Sequence, residues 1–182
     1  MKFIMLDSIL NECKEQWVSA KKKKNHPFRF FTLATLDNDG SPHLRTVVLR
    51  GFDSELLNFI VYTDLRSKKV NELKMDKRAQ FLFYDPKRML QIIVGVSHIE
   101  SNLDDFIYKS IPEQSKKDYA AVEVPGSKIK SPEKVQYNFS KGHFTQLIFK
   151  AESIEYLRLK RPNHIRASFN LINNWEGNFI VP

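Results

Sequence analysis

Leu6, Ile9, Leu10, Cys13, Trp17 and Ala20 recur at steps of three and four residues, which predicts an amphipathic helix with one buried stripe. Lys21–Lys24 complement the dipole at its C-terminal end, and Pro27 stops it. From Phe28 the period changes to that of strands. Phe28–Leu36 is one strand. Asp37-Asn38-Asp39-Gly40 is a hairpin turn, because these residue types tolerate positive φ. The next strand starts at Pro42 and runs through Arg45–Arg50 to Phe52. Asp53-Ser54-Glu55 then turns the chain into a strand over Leu56–Thr63, giving an expected meander of three hairpin-linked strands. Ser67 stands as the N-cap of a short helix reaching about Asp76, with Val70, Leu73 and Lys74 at helical spacing.

The second half continues the strand pattern. Ala79–Tyr84 is followed by a turn at Asp85-Pro86-Lys87-Arg88 and by a long strand over Met89–Glu100. On that strand Leu90, Ile92, Val94, Val96 and His98 share one face, while Gln91, Ile93, Gly95, Ser97 and Ile99 share the other. Leu103–Ala121 reads as helix interrupted by Pro112, Pro125-Gly126-Ser127 as a turn, and Lys128–Lys141 as polar loop with some helix. Strands over Phe144–Ala151, Ile154–Leu159 and Ile165–Asn170 precede the tail, where Phe179 and Val181 share a face if it is extended. Strands bordered by helices, without β-α-β alternation, point to a mainly β (α+β) antiparallel barrel with peripheral helices. The expected organisation is a single domain over 1–182, with residues 1–26 forming an N-terminal helix packed on the barrel.

Composition narrows the chemistry. With 182 residues, 42% of them hydrophobic, the chain can build one real core. Its single cysteine, Cys13, permits no intramolecular disulfide and no cysteine cluster, which fits a reducing cytoplasm. M-K-F-I-M-L-D-S has too short an apolar run for a signal peptide, and no segment approaches a membrane span. The six glycines form no dinucleotide or P-loop fingerprint, and there is no G-x-S-x-G. The five histidines show no metal-ligand spacing, so no metal site is expected, and no carboxylate pair stands out for acid–base work. Any hard chemistry would belong to a bound cofactor. The formal net charge of +8 allows phosphorylated small molecules, nucleic acid or an anionic surface as partners.

One stretch discriminates among these. Arg45-Thr46-Val47-Val48-Leu49-Arg50 brackets an apolar run with arginines, and Arg66, Ser67, Lys68 and Lys69 open a helix. Cations are unfavourable at a helix N-terminus unless an anion joins them. Free backbone N–H groups, a hydroxyl and several cations are what a phosphate group requires.

With these residues the chain resembles the pyridoxamine 5'-phosphate oxidase-like family of FMN-binding split barrels, from about Phe28 to the C-terminus. The family's R-x-V-x-L-K is kept in Arg45–Arg50 except for its final Lys. Tyr62-Thr63 fits the aromatic-Thr pair, Ser67-Lys68-Lys69 the S-R-K phosphate corner, and Gln91 the Gln of an R-Q pair. Gly126-Ser127 resembles a Q-S pair near the flavin, and Trp175 the C-terminal flavin-side Trp. The resemblance implies a Greek-key split barrel and FMN as cofactor. It implies FMN contacts from Arg45, Thr46, Val47, Val48, Leu49, Arg50, Tyr62, Thr63, Ser67, Lys68, Lys69, Gln91, Ser127 and Trp175, and a homodimer with flavin at the interface. Arg45 and Lys69 would hold the phosphate, supported by Lys68 and Ser67, and Gln91 would face the polar edge of the ring.

The departures lie on the substrate side. Ile107 and Ile111 occupy the family's phosphate-binding Tyr and Arg positions, only Ser115 is kept, and the C-terminal R-L-H is missing from Asn174–Pro182. The expected function is therefore an FMN-dependent oxidoreductase acting on a substrate other than a vitamin phosphate, with that substrate and the electron donor unassigned. No catalytic residue is assigned. A non-catalytic flavin-storage protein is the alternative. A nucleic-acid-binding barrel, which would expose the aromatics of Phe28-Arg29-Phe30-Phe31, is the weaker third.

Overall fold

The computed structural model describes residues 5–182; residues 1–4, the start of the M-K-F-I-M-L-D-S segment, lie outside it. Helix α1 (Leu6–Lys22) buries Ile9, Cys13, Trp17 and Ala20, four residues of the predicted stripe. Trp17 meets Phe59 edge-on at 4.9 Å and Phe52 at 5.2 Å between ring centroids, so the helix is fastened to the barrel by one large aromatic. Glu12 adds a polar anchor, pairing with Arg88 and accepting from the Tyr156 hydroxyl at 3.0 Å. Burial pushes the Cys13 thiol well above its ordinary range, so it is a packing residue.

Among the described residues nine strands form one sheet: β1 (Phe30–Leu36), β2 (Pro42–Val48), β3 (Gly51–Asp53), β4 (Asn58–Asp64), β5 (Arg78–Asp85), β6 (Leu90–Asn102), β7 (Phe144–Arg158), β8 (Ile165–Asn170) and β9 (Gly177–Phe179). The main path runs β2-β1-β5-β6-β7-β4-β3, with β8 on β7 and β9 on β8, and these pairings are antiparallel. Alternation places Phe31 and Leu33 of β1, Phe81 and Phe83 of β5, and Ile92 and Val94 of β6 inside. Helices α2 (Lys68–Met75), α3 (Asp105–Ser110) and α4 (Glu113–Ala120) lie at the periphery, with α3 and α4 separated at Pro112 as its missing N–H demands.

Three sequence expectations are corrected. The run expected to be one strand from Pro42 to Phe52 divides into β2 and β3. At the division the Leu49 N–H donates to Arg29 O at 2.8 Å and the Arg50 N–H to Ile60 O at 2.9 Å, so the chain changes partner within two residues. Consequently the expected meander does not form. β2 and β3 are consecutive in sequence yet end opposite edges of the sheet path, and the Leu49-Arg50 corner brings those edges round to each other. Finally, Phe144–Ala151 and Ile154–Leu159 are one strand. β7 pairs with β4 through its first half and with β8 through its second, and a bulge at Glu152 separates the two. The bulge shifts the inward parity from Leu147, Phe149 and Ala151 to Ile154 and Tyr156, which is why the sequence reads as two strands.

Candidate functional site

The seam between the two sheet edges is open. Among the described residues β2 has no strand partner on the side away from β1, and residues 61–64 of β4 extend beyond their pairing with β3. A groove of about 410 Å³ lies there, within the roughly 300–1,000 Å³ typical of small-molecule sites. Arg45, Thr46, Val47, Val48, Arg50, Tyr62, Thr63, Ser67 and Lys69, all expected from the sequence, line it together. The remaining walls are Asp64, Asp118, Tyr119 and Pro125.

Cations gather at the α2 end. The Lys69 ammonium donates to Thr63 Oγ1 at 2.9 Å and to Ser67 Oγ at 3.1 Å. Burial pushes its pKa down, and the Arg45 charge adds to the effect, so an incoming anion would relieve both. Ser67 occupies the N-cap position without making a side-chain cap bond; its hydroxyl serves Lys69 and Thr63 instead. Asp64, an acid in the groove wall, is neutralised by Arg66 through a 2.7 Å ion pair. Arg66 also donates to the carbonyls of Ala121 (2.7 Å) and Val122 (3.0 Å), so this cation clamps the segment after α4 and is not a free phosphate ligand.

The other end is aromatic. The Arg50 guanidinium lies 5.5 Å over the Tyr62 ring, Tyr62 packs edge-on against Phe144 at 5.0 Å, and Tyr119 packs on the same Phe144 at 5.2 Å. Burial raises the phenol pKa of both tyrosines, which therefore remain neutral donors and acceptors. Cation-rich at one end and aromatic at the other, the groove fits a phosphate ester of a flat ring.

Five expected residues do not line this groove. Leu49 points into the core and its amide is used by Arg29. Lys68 is exposed and lines a separate opening with Asp37, His43 and Glu72, because consecutive helical residues diverge by about 100°. Gln91, the second residue of β6, pairs with Tyr84 of β5 and Leu157 of β7 and is half-buried on the outer face of the sheet. Ser127 is exposed in the turn at Gly126, whose φ of +92° suits glycine. Trp175 packs against the core beside a left-handed turn. Of the Phe28–Phe31 segment, Phe28 and Phe31 are buried and only Phe30 is exposed, so it offers no aromatic nucleic-acid face. Among the described residues, no group of three or more His, Cys, Asp or Glu is placed to hold a metal.

Sequence reasoning missed Tyr119 and the groups behind Arg45, namely Thr35 and Glu72. A signal existed for Thr35, which shares the inward parity of Phe31 and Leu33 and so had to be a buried polar group with a partner.

Residues 11–99 match the family model of the pyridoxamine 5'-phosphate oxidase FMN-binding domain. The match starts upstream of Phe28 and ends before Ser127 and Trp175. A pyridoxine/pyridoxamine 5'-phosphate oxidase of Bradyrhizobium diazoefficiens is 30% identical over 115 residues, covering 62% of this chain and 50% of the relative. One of Bordetella petrii is 36% identical over 83 residues, covering 44% and 39%. The chain spans about half the length of the curated relatives it matches. Among solved structures, a pyridoxamine 5'-phosphate oxidase-related, FMN-binding protein of Nostoc punctiforme superposes with a TM-score of 0.74 at 19% identity, over 94% of this chain and 96% of that one. PhzG of Burkholderia lata, in complex with tetrahydrophenazine-1-carboxylic acid, superposes with a TM-score of 0.77 at 16% identity, over 100% and 98%. At such identities these structures establish the fold, a split barrel.

Proposed function

We propose, from the match of residues 11–99 to the pyridoxamine 5'-phosphate oxidase FMN-binding domain, that this chain is a member of that FMN-binding family, that the seam groove binds FMN and that the protein is an FMN-dependent oxidoreductase. The observation that carries the reading is the Lys69 ammonium, fixed by Thr63 and Ser67 beside Arg45 at one end of a groove whose other end is aromatic. Lys69 and Arg45 bind the phosphate by charge-assisted hydrogen bonds. The strand edges of β2 and β4 offer backbone groups to the ribityl chain, and Val47, Val48 and Tyr62 wall the ring. Bound FMN supplies reversible hydride chemistry, while these residues hold it, orient it and exclude water from one face.

Gln91, Ser127 and Trp175 enter the site in this proposal only through a homodimer. Gln91 shares the outer sheet face with Phe30, Leu44, Leu82 and Tyr84, all exposed in the single chain. A second copy covering that face would carry Gln91 toward the partner's groove. The substrate is a small molecule other than a vitamin phosphate, since Ile107 and Ile111 bring no charge.

Purified protein should be yellow, and ligand released by heat should have the mass of FMN at about one per chain. A colourless protein that takes up no added FMN, or a released ligand with the mass of FAD or haem, contradicts the proposal.

A further inference from the structure

Arg45 is held from behind. Its Nη2 donates to Glu72 Oε2 at 3.0 Å and its Nη1 to Thr35 Oγ1, while the Thr35 hydroxyl donates to the same Glu72 oxygen at 2.5 Å. Side chains from β2, β1 and α2 thus close a triangle around one carboxylate oxygen. The other oxygen is met by His43 Nδ1 at 2.6 Å, and His43 Nε2 lies 3.5 Å from Asp37 in the hairpin turn. Glu72 is buried, although packing of α2 on the barrel requires only its apolar neighbours Val70 and Leu73. A buried carboxylate is costly to desolvate, so its retention asks for a role beyond packing.

The placement supplies one. Glu72 does not line the seam groove; it lines a separate opening with His43 and the β1–β2 turn, and Arg45, which lines the groove and bonds Glu72, stands between the two. From this geometry we infer that Glu72 is a positioning residue, which with Thr35 locks the Arg45 guanidinium so that its remaining N–H groups face the groove beside Lys69. An arginine side chain free to turn loses rotamer entropy on binding a ligand, and one already fixed does not. Glu72 also offsets the mutual repulsion of Arg45 and Lys69 before any anion arrives. This inference rests on the reading of the groove as a site for the FMN phosphate.

The experiment is titration of flavin-free protein with FMN and with riboflavin, which has the same ring system and no phosphate. It is run on the wild type, Glu72→Ala, Glu72→Gln and Thr35→Val, with thermal melting alongside. Glu72→Ala should bind FMN about tenfold more weakly while riboflavin affinity changes by less than about twofold. Glu72→Gln, which keeps an acceptor for Thr35 and Arg45, should fall between, and Thr35→Val should weaken FMN selectively. Equal loss for both flavins together with a lower melting temperature would show a structural role only, and tighter FMN binding by Glu72→Ala would show that Glu72 competes with the phosphate; either overturns the inference. A wild type with no preference for FMN over riboflavin would instead sink the phosphate reading itself, whatever the variants do.

Discussion

At the scale of single residues, the groove is built from polar groups set at inward-facing positions of otherwise apolar patterns. Arg45 shares the inner parity of β2 with Val47, Thr35 continues the buried face of β1, and Glu72 lies between Val70 and Leu73 on the buried side of α2. Their charges are tied to acidity. Burial pushes the Glu72 carboxyl up, but hydrogen bonds from Thr35 and His43 and the Arg45 charge outweigh it, so its folded pKa lies below the ordinary 4.5. A depressed carboxyl pKa contributes stability that is present above the unfolded value and lost as pH falls through the folded one. Denaturation midpoints followed from about pH 6 down to about pH 3 should therefore fall less steeply in Glu72→Gln than in the wild type. Parallel curves would mean that Glu72 is not the acid-sensitive group.

At the scale of elements, α1 depends on one aromatic. Trp17 is fully buried against Phe52, Phe59 and Phe83, so Trp17→Ala should cost about 3–5 kcal/mol in urea unfolding. Trp17→Phe should cost far less, because it keeps most of the ring contact and removes an indole N–H that has no partner among the described residues. Equal costs for the two would place the helix's attachment elsewhere, in the Glu12–Arg88–Tyr156 anchor. The elements that were legible in the sequence are those whose hydrophobic period is uninterrupted: the α1 stripe, β5 and the inner face of β6. Those misread have a local cause that period alone does not reveal. The Leu49-Arg50 corner stays apolar and extended while its backbone changes partner, and the Glu152 bulge shifts the parity of β7 without ending it. The same limit applies to the candidate site. Arg45, Tyr62, Thr63, Ser67 and Lys69 were readable because motif residues close in sequence converge on one seam. Tyr119 comes from α4, and only the folded chain brings it to the groove.

At the scale of the whole molecule, the outer sheet face and the substrate side make separate demands. Leu44 is 65% exposed and Phe30 56%, beside Leu82 and Tyr84, a face that favours a second copy over water. Light scattering should give twice the 21.4 kDa chain mass, and a monomer that still binds FMN tightly would contradict the interface site. If Ile107 and Ile111 stand at the substrate-phosphate positions that the resemblance implies, they bring no cation to a dianionic phosphate, so pyridoxamine and pyridoxine 5'-phosphates should be oxidised negligibly by FMN-loaded protein. A kcat/KM comparable to that of a pyridoxal-phosphate-forming oxidase would show that Arg50 or a lysine of Lys128–Lys141 replaces the missing charge. Both demands presuppose that the seam holds FMN by its phosphate, and calorimetric titration of flavin-free protein with FMN tests that most directly. Arg45→Ala combined with Lys69→Ala removes two charged partners, each hydrogen bond worth about 1.5–3 kcal/mol, so affinity should fall by roughly a hundredfold or more while the barrel still melts cooperatively. Unchanged FMN affinity in that folded double variant would contradict the seam as the phosphate site.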